Sequence, residues 1–185
     1  MPAPIQNEQP SAPSADLVHA AFRELHARRL HGFALLLVLG DRAQAAHLAT
    51  GALAAANERV EALRHPERAA AWLRQHVVRH ARRTRRGNRS VDPYLLNDLG
   101  ADAGVVAGLA LLDLRDRAAL IASAIERLDR RDVAAIVGRD GSALDRMLRR
   151  ARERYIDGYI AVGPAPVTDG PLTARIHDLA QRSMT

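Results

Sequence analysis

The chain alternates long runs rich in Ala, Leu and Arg with short segments that hold Gly, Pro, Asp or Asn. Within the long runs, apolar side chains recur at spacings of three and four residues, which places them on one face of a helix. Segments in which Val, Ile, Thr or Tyr alternate with polar residues, as in strands, are nearly absent. The pattern therefore predicts an all-α protein.

The prolines divide the chain. Seven of the nine prolines lie in the two tails, and only Pro66 and Pro93 lie between them. Because proline removes a backbone donor, the long proline-free stretches favour helices. Pro66 suits the first turn of a helix that extends to about Arg85. Residues 87–107, which follow, hold four Gly or Pro residues and predict a linker.

Capping residues predict further helices in the N-terminal half. Asp16 lies at the expected start of a first helix, which we expect Gly32 to interrupt. Asp41 followed by Gln44 resembles a capping box. We therefore expect a second helix from this point toward Glu61.

Two further capping patterns lie in the C-terminal half. Asp129 with Asp132 predicts a short helix over residues 130–137, and Ser142 with Asp145 predicts a longer one that extends to about Ile160. The whole pattern predicts two small helical domains, at residues 16–86 and 108–160. The flexible linker 87–107 joins them, and a disordered tail (1–15) and a C-terminal tail (161–185) flank them.

Composition excludes several function classes. The chain has no cysteine, so it has no disulfide, no Cys-ligated metal site and no thiol catalysis. Its longest apolar run, residues 33–40, is less than half of a membrane span. The first fifteen residues lack the basic and apolar parts of a secretory signal. We expect a cytoplasmic protein with no membrane partner.

The positive charge is concentrated in two segments. The net charge is +6, and all 27 Lys+Arg positions are arginine. A genome rich in G and C favours Arg and Ala, so the position of the arginines says more than their number. Residues 79–89 hold six arginines and no acid, residues 91–113 hold four acids and no base, and residues 146–154 hold five arginines and one acid. This segregation favours a polyanionic partner.

Residues 130–154 are typical of a helix-turn-helix. Apolar residues of the first helix can pack on those of the second, which leaves Arg146, Arg149 and Arg150 on the opposite side. The packing pairs would be Val133, Ala134 and Val137 with Leu144 and Leu148. The second helix of such a motif can enter the major groove of DNA. The same pattern is equally consistent with an ordinary helical hairpin whose basic face is solvated.

The helix that begins at Pro66 also has two faces. Trp72, Leu73, Val77 and Val78 form an apolar face, and the other face ends in the arginine run. Arginines on a helix are typical of phosphate contacts. A solvated helix end, favoured by the helix dipole, is the alternative.

Histidines and catalytic motifs give no sign of an enzyme. His76 and His80 are four residues apart, but they lack the His-Glu-x-x-His pattern and any cysteine ligand, so we expect no metal. No Ser/His/Asp motif, glycine-rich phosphate loop or carboxylate pair is present in a recognisable setting. We expect neither catalytic activity nor a cofactor.

The C-terminal half resembles the fourth region of bacterial sigma factors of the compact two-domain, extracytoplasmic-function type. Aligned without gaps from Arg117, residues 132–134 stand for the family's Glu-Ile-Ala, and Val137-Gly138 stand for Leu-Gly. Residues 142–144 stand for Gly-Thr-Val, and residues 150–152 match Arg-Ala-Arg. The resemblance implies that residues 142–150 read the minus-thirty-five promoter element. The implied contacts are Ser142, Ala143, Arg146, Arg149 and Arg150.

The N-terminal half is similar to the second region of the same family. Residues 22–53 resemble its first two helices, and residues 71–73 match its Ala-Trp-Leu, which precedes a basic helix that recognises the minus-ten element. The implied contacts are Arg79, Arg82, Arg83, Arg85 and Arg86. A linker of about 20 residues reaches at most roughly 65 Å. This approaches two turns of duplex, so each domain could hold one promoter element.

One departure from the family lies at the second helix. The family has Ala-Glu-Asp-Leu-Val-Gln-Glu there, an acidic patch that binds polymerase, whereas residues 45–51 lack all three of its acids and the glutamine. Ala46 and His47 occupy the positions of the Glu-Asp pair, and Leu48 keeps the packing position. The resemblance implies core RNA polymerase, promoter DNA and an anti-sigma factor as partners. We keep as alternatives a sigma-derived DNA-binding regulator that no longer grips polymerase, and a helical protein-interaction module.

Overall fold

The structure, a computed structural model, describes residues 15–63, 65–84, 96 and 103–162. The regular elements among these residues are helical and contain no strand, which confirms the predicted all-α class. In chain order, the α-helices are α1 (Ala15–Leu37), α2 (Arg42–Asn57), α3 (Pro66–Thr84), α4 (Ala103–Leu111), α5 (Leu114–Leu120), α6 (Arg130–Val137) and α7 (Gly141–Val162). A short 3-10 helix (Val60–Leu63) follows α2, and a π-helical turn (Ile121–Ile125) continues α5.

The first helix is continuous, so the expected interruption at Gly32 is wrong. Gly32 is buried in the middle of α1, next to the buried Leu30 and Phe33. A helical glycine costs about 1 kcal/mol relative to alanine. Burial of the apolar residues around Gly32 outweighs that cost. The chain leaves α1 only at Leu39 and Gly40, which both adopt left-handed φ angles of 58° and 87°.

Two of the predicted helix starts are confirmed at their caps. The Asp41 side chain accepts a hydrogen bond of 2.9 Å from the backbone N–H of Gln44. The Asp129 side chain accepts a hydrogen bond of 2.8 Å from the N–H of Arg131 and is the N-cap of α6. The bounds of α6 are those predicted. Gly138, with a φ of 66°, ends α6 in the left-handed conformation that favours glycine.

The last helix starts one residue earlier than predicted. Ser142 lies in the first turn of α7, and the carbonyl oxygen of Asp140 accepts from the N–H groups of Ala143 and Leu144 at 3.1 Å. Since the first bonds of the helix go to the carbonyl of Asp140, Asp140 holds the N-cap position and Ser142 does not. Its hydroxyl accepts from Arg146 at 3.2 Å instead.

The predicted linker and the tails coincide only in part with the described residues. Helix α4 begins at Ala103, inside the expected linker 87–107. Asp113 caps α5, because its side chain accepts from the N–H groups of Arg115 and Asp116 at 2.8 and 2.9 Å. Apart from Leu96, the rest of the linker lies outside the described residues. So do the expected tails, except at their inner ends.

Helices α4 and α7 pack at glycines. A Cβ atom added at Gly158 of α7 would lie 2.8 Å from the Cα of Gly108 in α4 and 2.9 Å from the carbonyl oxygen of Ala107. A Cβ at Gly108 would lie 2.7 Å from the carbonyl oxygen of Tyr155. The two backbones therefore touch where no side chain intervenes, and α7 is fixed against α4.

The N-terminal and C-terminal helices share one hydrophobic core, which includes Phe33 and Leu73 from the first group and Leu120 and Leu144 from the second. The buried Arg117 of α5 joins the two groups of helices, because its Nη1 donates a hydrogen bond of 2.6 Å to the carbonyl oxygen of Leu37. The two groups thus contact each other directly in this structure. Their division into two domains stays a prediction.

A membrane-spanning segment is not found among the described helices. None of them combines the length and the apolar character that a span requires.

The α4–α7 contact leads to a stability prediction. We expect Gly158→Ala to lower the free energy of unfolding by about 1–3 kcal/mol, because the new methyl group overpacks a backbone contact. Gly51→Ala is the matched control, since Gly51 is a helical glycine with open space around its Cα. That variant should gain about 0.5–1 kcal/mol. Urea denaturation followed by circular dichroism measures both, and equal stability of the two variants would contradict the predicted contact.

Candidate nucleic-acid interface

The basic end of α3 faces solvent. Leu73, Val77 and Ala81 bury one side of this helix in the core. Arg79, Arg82 and Arg83 lie on the exposed side. Burial of the first set fixes the orientation of the second, so three of the predicted arginines are available to an outside partner. Arg85 and Arg86 lie outside the described residues.

Three aromatic rings, spaced four residues apart, lie in contact along α3 beside these arginines. Trp72 and His76 have ring centroids 5.2 Å apart, and His76 and His80 stack at 4.2 Å with an interplanar angle of 13°. Partial burial lowers the pKa of His76, and His80 and nearby arginines lower it further. The surroundings of His76 therefore favour its neutral form. Among the described residues, no group of three His, Asp or Glu side chains converges as metal ligands would.

The start of α7 also presents arginines to solvent. Ser142, Arg146 and Arg149 are exposed, whereas Ala143 is half-buried. The hydroxyl of Ser142 accepts a hydrogen bond of 3.2 Å from Arg146, which places both side chains together at the helix start. Four of the five candidates on this helix therefore lie where a partner could reach them.

Arg150, the fifth candidate, is exposed at the surface but is held in an ion pair with a buried carboxylate. Its guanidinium donates to both carboxylate oxygens of Asp116, at 3.1 and 3.3 Å. The Asp116 side chain is 1% exposed, so Arg150 compensates a buried negative charge. The hydrogen bond with Asp116 also raises the pKa of Arg150. Arg150 thus links α7 to α5, and any contact with DNA would have to compete with that link.

The helix pair α6–α7 is joined at its turn by Arg130. This guanidinium donates to the carbonyl oxygen of Gly141 at 2.9 Å and to both carboxylate oxygens of Asp145. The pair with Arg130 lowers the pKa of Asp145. Every expected packing residue of the pair lies in the core or against it: Val133, Val137 and Leu144 are buried, and Ala134 and Leu148 are partly buried.

Helix α6 also lies against α3, which brings the two predicted DNA-binding units together. The side-chain amide of Gln75 donates a hydrogen bond of 2.8 Å to the carbonyl oxygen of Ala135. Arg74, one residue earlier, forms a two-point ion pair with Glu126, and its guanidinium lies 5.7 Å from the ring centre of Phe33. The sequence pattern did not indicate these contacts.

The second helix has the surface expected from its sequence. Leu48 is buried against the core, and Ala46 and His47 are exposed. The positions at which the resembling family carries acids therefore face solvent without a carboxylate.

Reasoning from sequence missed the buried and half-buried charged residues of this region. Arg74, Asp116, Arg117 and Glu126 form the polar contacts between helices described above. Arg74 was the one that a pattern could have revealed, because it falls on α3 beside Leu73, away from the exposed arginines. The contacts of Arg74 with Glu126, of Arg117 with Leu37 and of Asp116 with Arg150 join residues 34 to 80 positions apart in the chain, and no local pattern indicates them.

Comparisons of the chain with protein-family models, with curated proteins and with solved structures found no match. The resemblance to sigma factors stays a prediction from the residues quoted for it.

The environment of His76 leads to a prediction on pH. Because its pKa lies below 6.5 in the folded chain, the unfolded chain binds more protons near and below that pH, and stability should fall on acidification through pH 6.5. Burial lowers the pKa of His26 in the same direction. We expect an NMR titration midpoint below 6.5 for His76. We also expect His76→Gln to reduce the loss of stability between pH 7.5 and pH 5.5.

His47→Gln is the control for this measurement, since His47 is exposed on α2. The pH dependence of its unfolding is compared with that of His76→Gln. A His76 midpoint at or above 6.5 would show that the stacked environment does not disfavour its charge.

Proposed function

We propose that this protein is a sigma factor, which binds core RNA polymerase and directs it to specific promoters. The observation that carries the proposal is the exposed arginine set on α3, Arg79, Arg82 and Arg83, on a helix whose opposite side is buried. Arginines held on one solvent face can contact successive phosphates of a nucleic acid. In this proposal α3 holds the minus-ten element.

The second DNA contact in this proposal is the start of α7. Ser142, Arg146 and Arg149 are exposed there, and Arg130 fixes the turn that precedes the helix. A helix with this arrangement can place its first turns in the major groove, where side chains reach base edges. Arg146 and Arg149 would contact phosphate or guanine, and Ser142 would contact a base edge or the backbone. Arg150 would keep its structural pair with Asp116.

A DNA-binding regulator that does not use polymerase is the second candidate. It is favoured by the exposed face of α2, where Ala46 and His47 replace the acids of the resembling family. In that case the chain alone should bind a specific DNA sequence, and its free form should be the active one. An anti-sigma factor belongs only to the first candidate.

A salt titration tests whether the arginines of α3 contact DNA. About five phosphate contacts imply a slope near −4 to −5 in a plot of log affinity against log salt concentration. We expect Arg82→Ala with Arg83→Ala to weaken binding and to make the slope shallower by roughly 2, because each lost contact removes about 0.9. Fluorescence anisotropy with a labelled duplex at several salt concentrations gives the slope.

The control for charge alone is Arg23→Ala with Arg42→Ala. Both arginines are exposed, on α1 and at the start of α2, so the loss of net charge is the same. This control should keep the slope of the unchanged protein. A slope near zero for the unchanged protein would reject a DNA contact and leave a helical protein-interaction module as the function.

Polymerase binding separates the two DNA-binding candidates. For a sigma factor, we expect co-purification with core RNA polymerase at micromolar concentration and transcription from a subset of a promoter library. The subset should change when Arg146 and Arg149 are replaced by alanine. Specific DNA binding without any polymerase binding would reject the first candidate and support the second.

A further inference from the structure

We propose that exposed arginines on both sides of the contact between α3 and α6 form one basic surface, which binds the phosphate backbone of a single turn of duplex DNA. The surface consists of Arg79 and Arg82 on α3, Arg127 before α6, and Arg131 in the first turn of α6. Arg127 and Arg131 are new candidates, which neither the helix pattern nor the family resemblance indicated. The inference goes beyond the proposed function, because it requires neither polymerase nor a second promoter element.

The contact between α3 and α6 brings the arginines of the two helices near one another. Gln75 of α3 donates its hydrogen bond to the carbonyl oxygen of Ala135 in α6. Arg79 lies one helical turn after Gln75, and Arg131 lies one turn before Ala135. The reach of the glutamine side chain and the two helical rises together place the Cα atoms of Arg79 and Arg131 at most roughly 25 Å apart. This separation is shorter than one turn of duplex, which is about 34 Å.

Arg127 is held at the same contact by its neighbour in the chain. Glu126 forms the ion pair with Arg74 of α3, and Arg127 follows Glu126 directly. The φ angle of Arg127 is 52°, in the left-handed region that favours glycine. Leu39 is the other such non-glycine residue among those described, and it is buried, so packing accounts for it. Arg127 is exposed, so packing does not account for an arginine at this position, whereas a role of its charge does.

The four arginines are available to an outside partner. All of them are exposed, and the ion pairs within the described part of the chain belong to other arginines. Asp129, the acid between Arg127 and Arg131, accepts hydrogen bonds from the backbone N–H groups of Arg131 and Asp132. Four arginines outnumber the two acids of this stretch, Asp129 and Asp132. The surface therefore keeps the positive charge that contact with a phosphate backbone requires.

A duplex of one helical turn tests whether the surface is a single site. The probe is a fluorescein-labelled duplex of about 12 base pairs, and fluorescence anisotropy measures its affinity and stoichiometry. We expect one duplex for each chain. We expect Arg79→Ala and Arg131→Ala, each alone, to weaken binding on the order of threefold, because both side chains contact the same DNA. Two duplexes bound to each chain would overturn the single surface.

The next measurement concerns the two new candidates together. Arg127→Gly with Arg131→Ala removes two charges, so we expect the affinity for the short duplex to fall on the order of tenfold and the salt slope to become shallower by roughly 2. Arg23→Ala with Arg42→Ala is the matched control, because it removes the same charge from exposed positions on α1 and α2. That control should keep the slope of the unchanged protein. Equal slopes for the two double variants would reject the surface.

Arg127→Gly alone separates binding from stability. Glycine adopts the left-handed conformation without strain, so the urea midpoint of unfolding should stay the same or rise. The affinity for the short duplex should nevertheless fall on the order of threefold, because one phosphate contact is lost. A lower midpoint together with weaker binding would show a structural role and remove Arg127 from the surface.

Three further outcomes identify which proposal fails. If the chain binds core RNA polymerase and long promoter DNA, but Arg127→Gly with Arg131→Ala leaves binding of the short duplex unchanged, the surface is wrong and the proposed function stands. Tighter binding of a single-stranded oligonucleotide of the same length would reject duplex DNA as the ligand. Failure to bind DNA of any length would overturn the DNA contacts of the proposed function, and the surface with them.

Discussion

The buried guanidinium of Arg117 is the interaction on which the arrangement of the helices depends. It donates to three carbonyl oxygens, those of Leu37, Leu109 and Leu112, at 2.6 to 2.9 Å. These carbonyls lie at the ends of α1 and α4, where intrahelical donors run out and the helix dipoles are negative. Each such carbonyl would cost about 1–3 kcal/mol if it were buried without a donor. One side chain therefore satisfies both helix ends and sets α5 against α1.

The chain uses arginine in two physical roles that composition alone does not separate. Arg74 and Arg117 are buried and bonded across the boundary between the helix groups, whereas Arg79, Arg82 and Arg146 are exposed. Arg150 lies between these roles, because it is exposed and yet holds the buried carboxylate of Asp116. A planar cation with five donors suits each environment, since it can satisfy several acceptors in the interior or contact phosphate at the surface. A count of positive charges would overstate the surface that is available to DNA.

Sequence reasoning succeeded where the determining interactions are local. Asp41 and Asp129 act within four residues of themselves, and the structure confirms both helix starts. It failed at Gly32, because the burial that keeps α1 continuous comes from other helices. It also missed the first half of α4, since Gly104 suggests a linker until Tyr159 of α7 packs on it. For the candidate site, the exposure of the arginines followed from helix periodicity. The pairing of Arg150 with Asp116 depends on α5, 34 residues earlier, and could not be inferred.

The contact of α3 with the C-terminal helices places a condition on any function that uses both basic surfaces. If both surfaces act on one short stretch of DNA, the two helix groups can stay packed as they are. The ion pair of Arg74 with Glu126 then serves only to fix the orientation of the helices. If they act on elements two turns apart, the apolar core shared by the two groups must separate, and its exposed surface must be covered by a partner. Exposure of that much apolar surface to water is unfavourable by about 25 cal/mol for each Å². An open form would therefore require a protein surface in addition to DNA, and this requirement connects the packing of the two helix groups to the choice between the two DNA-binding functions.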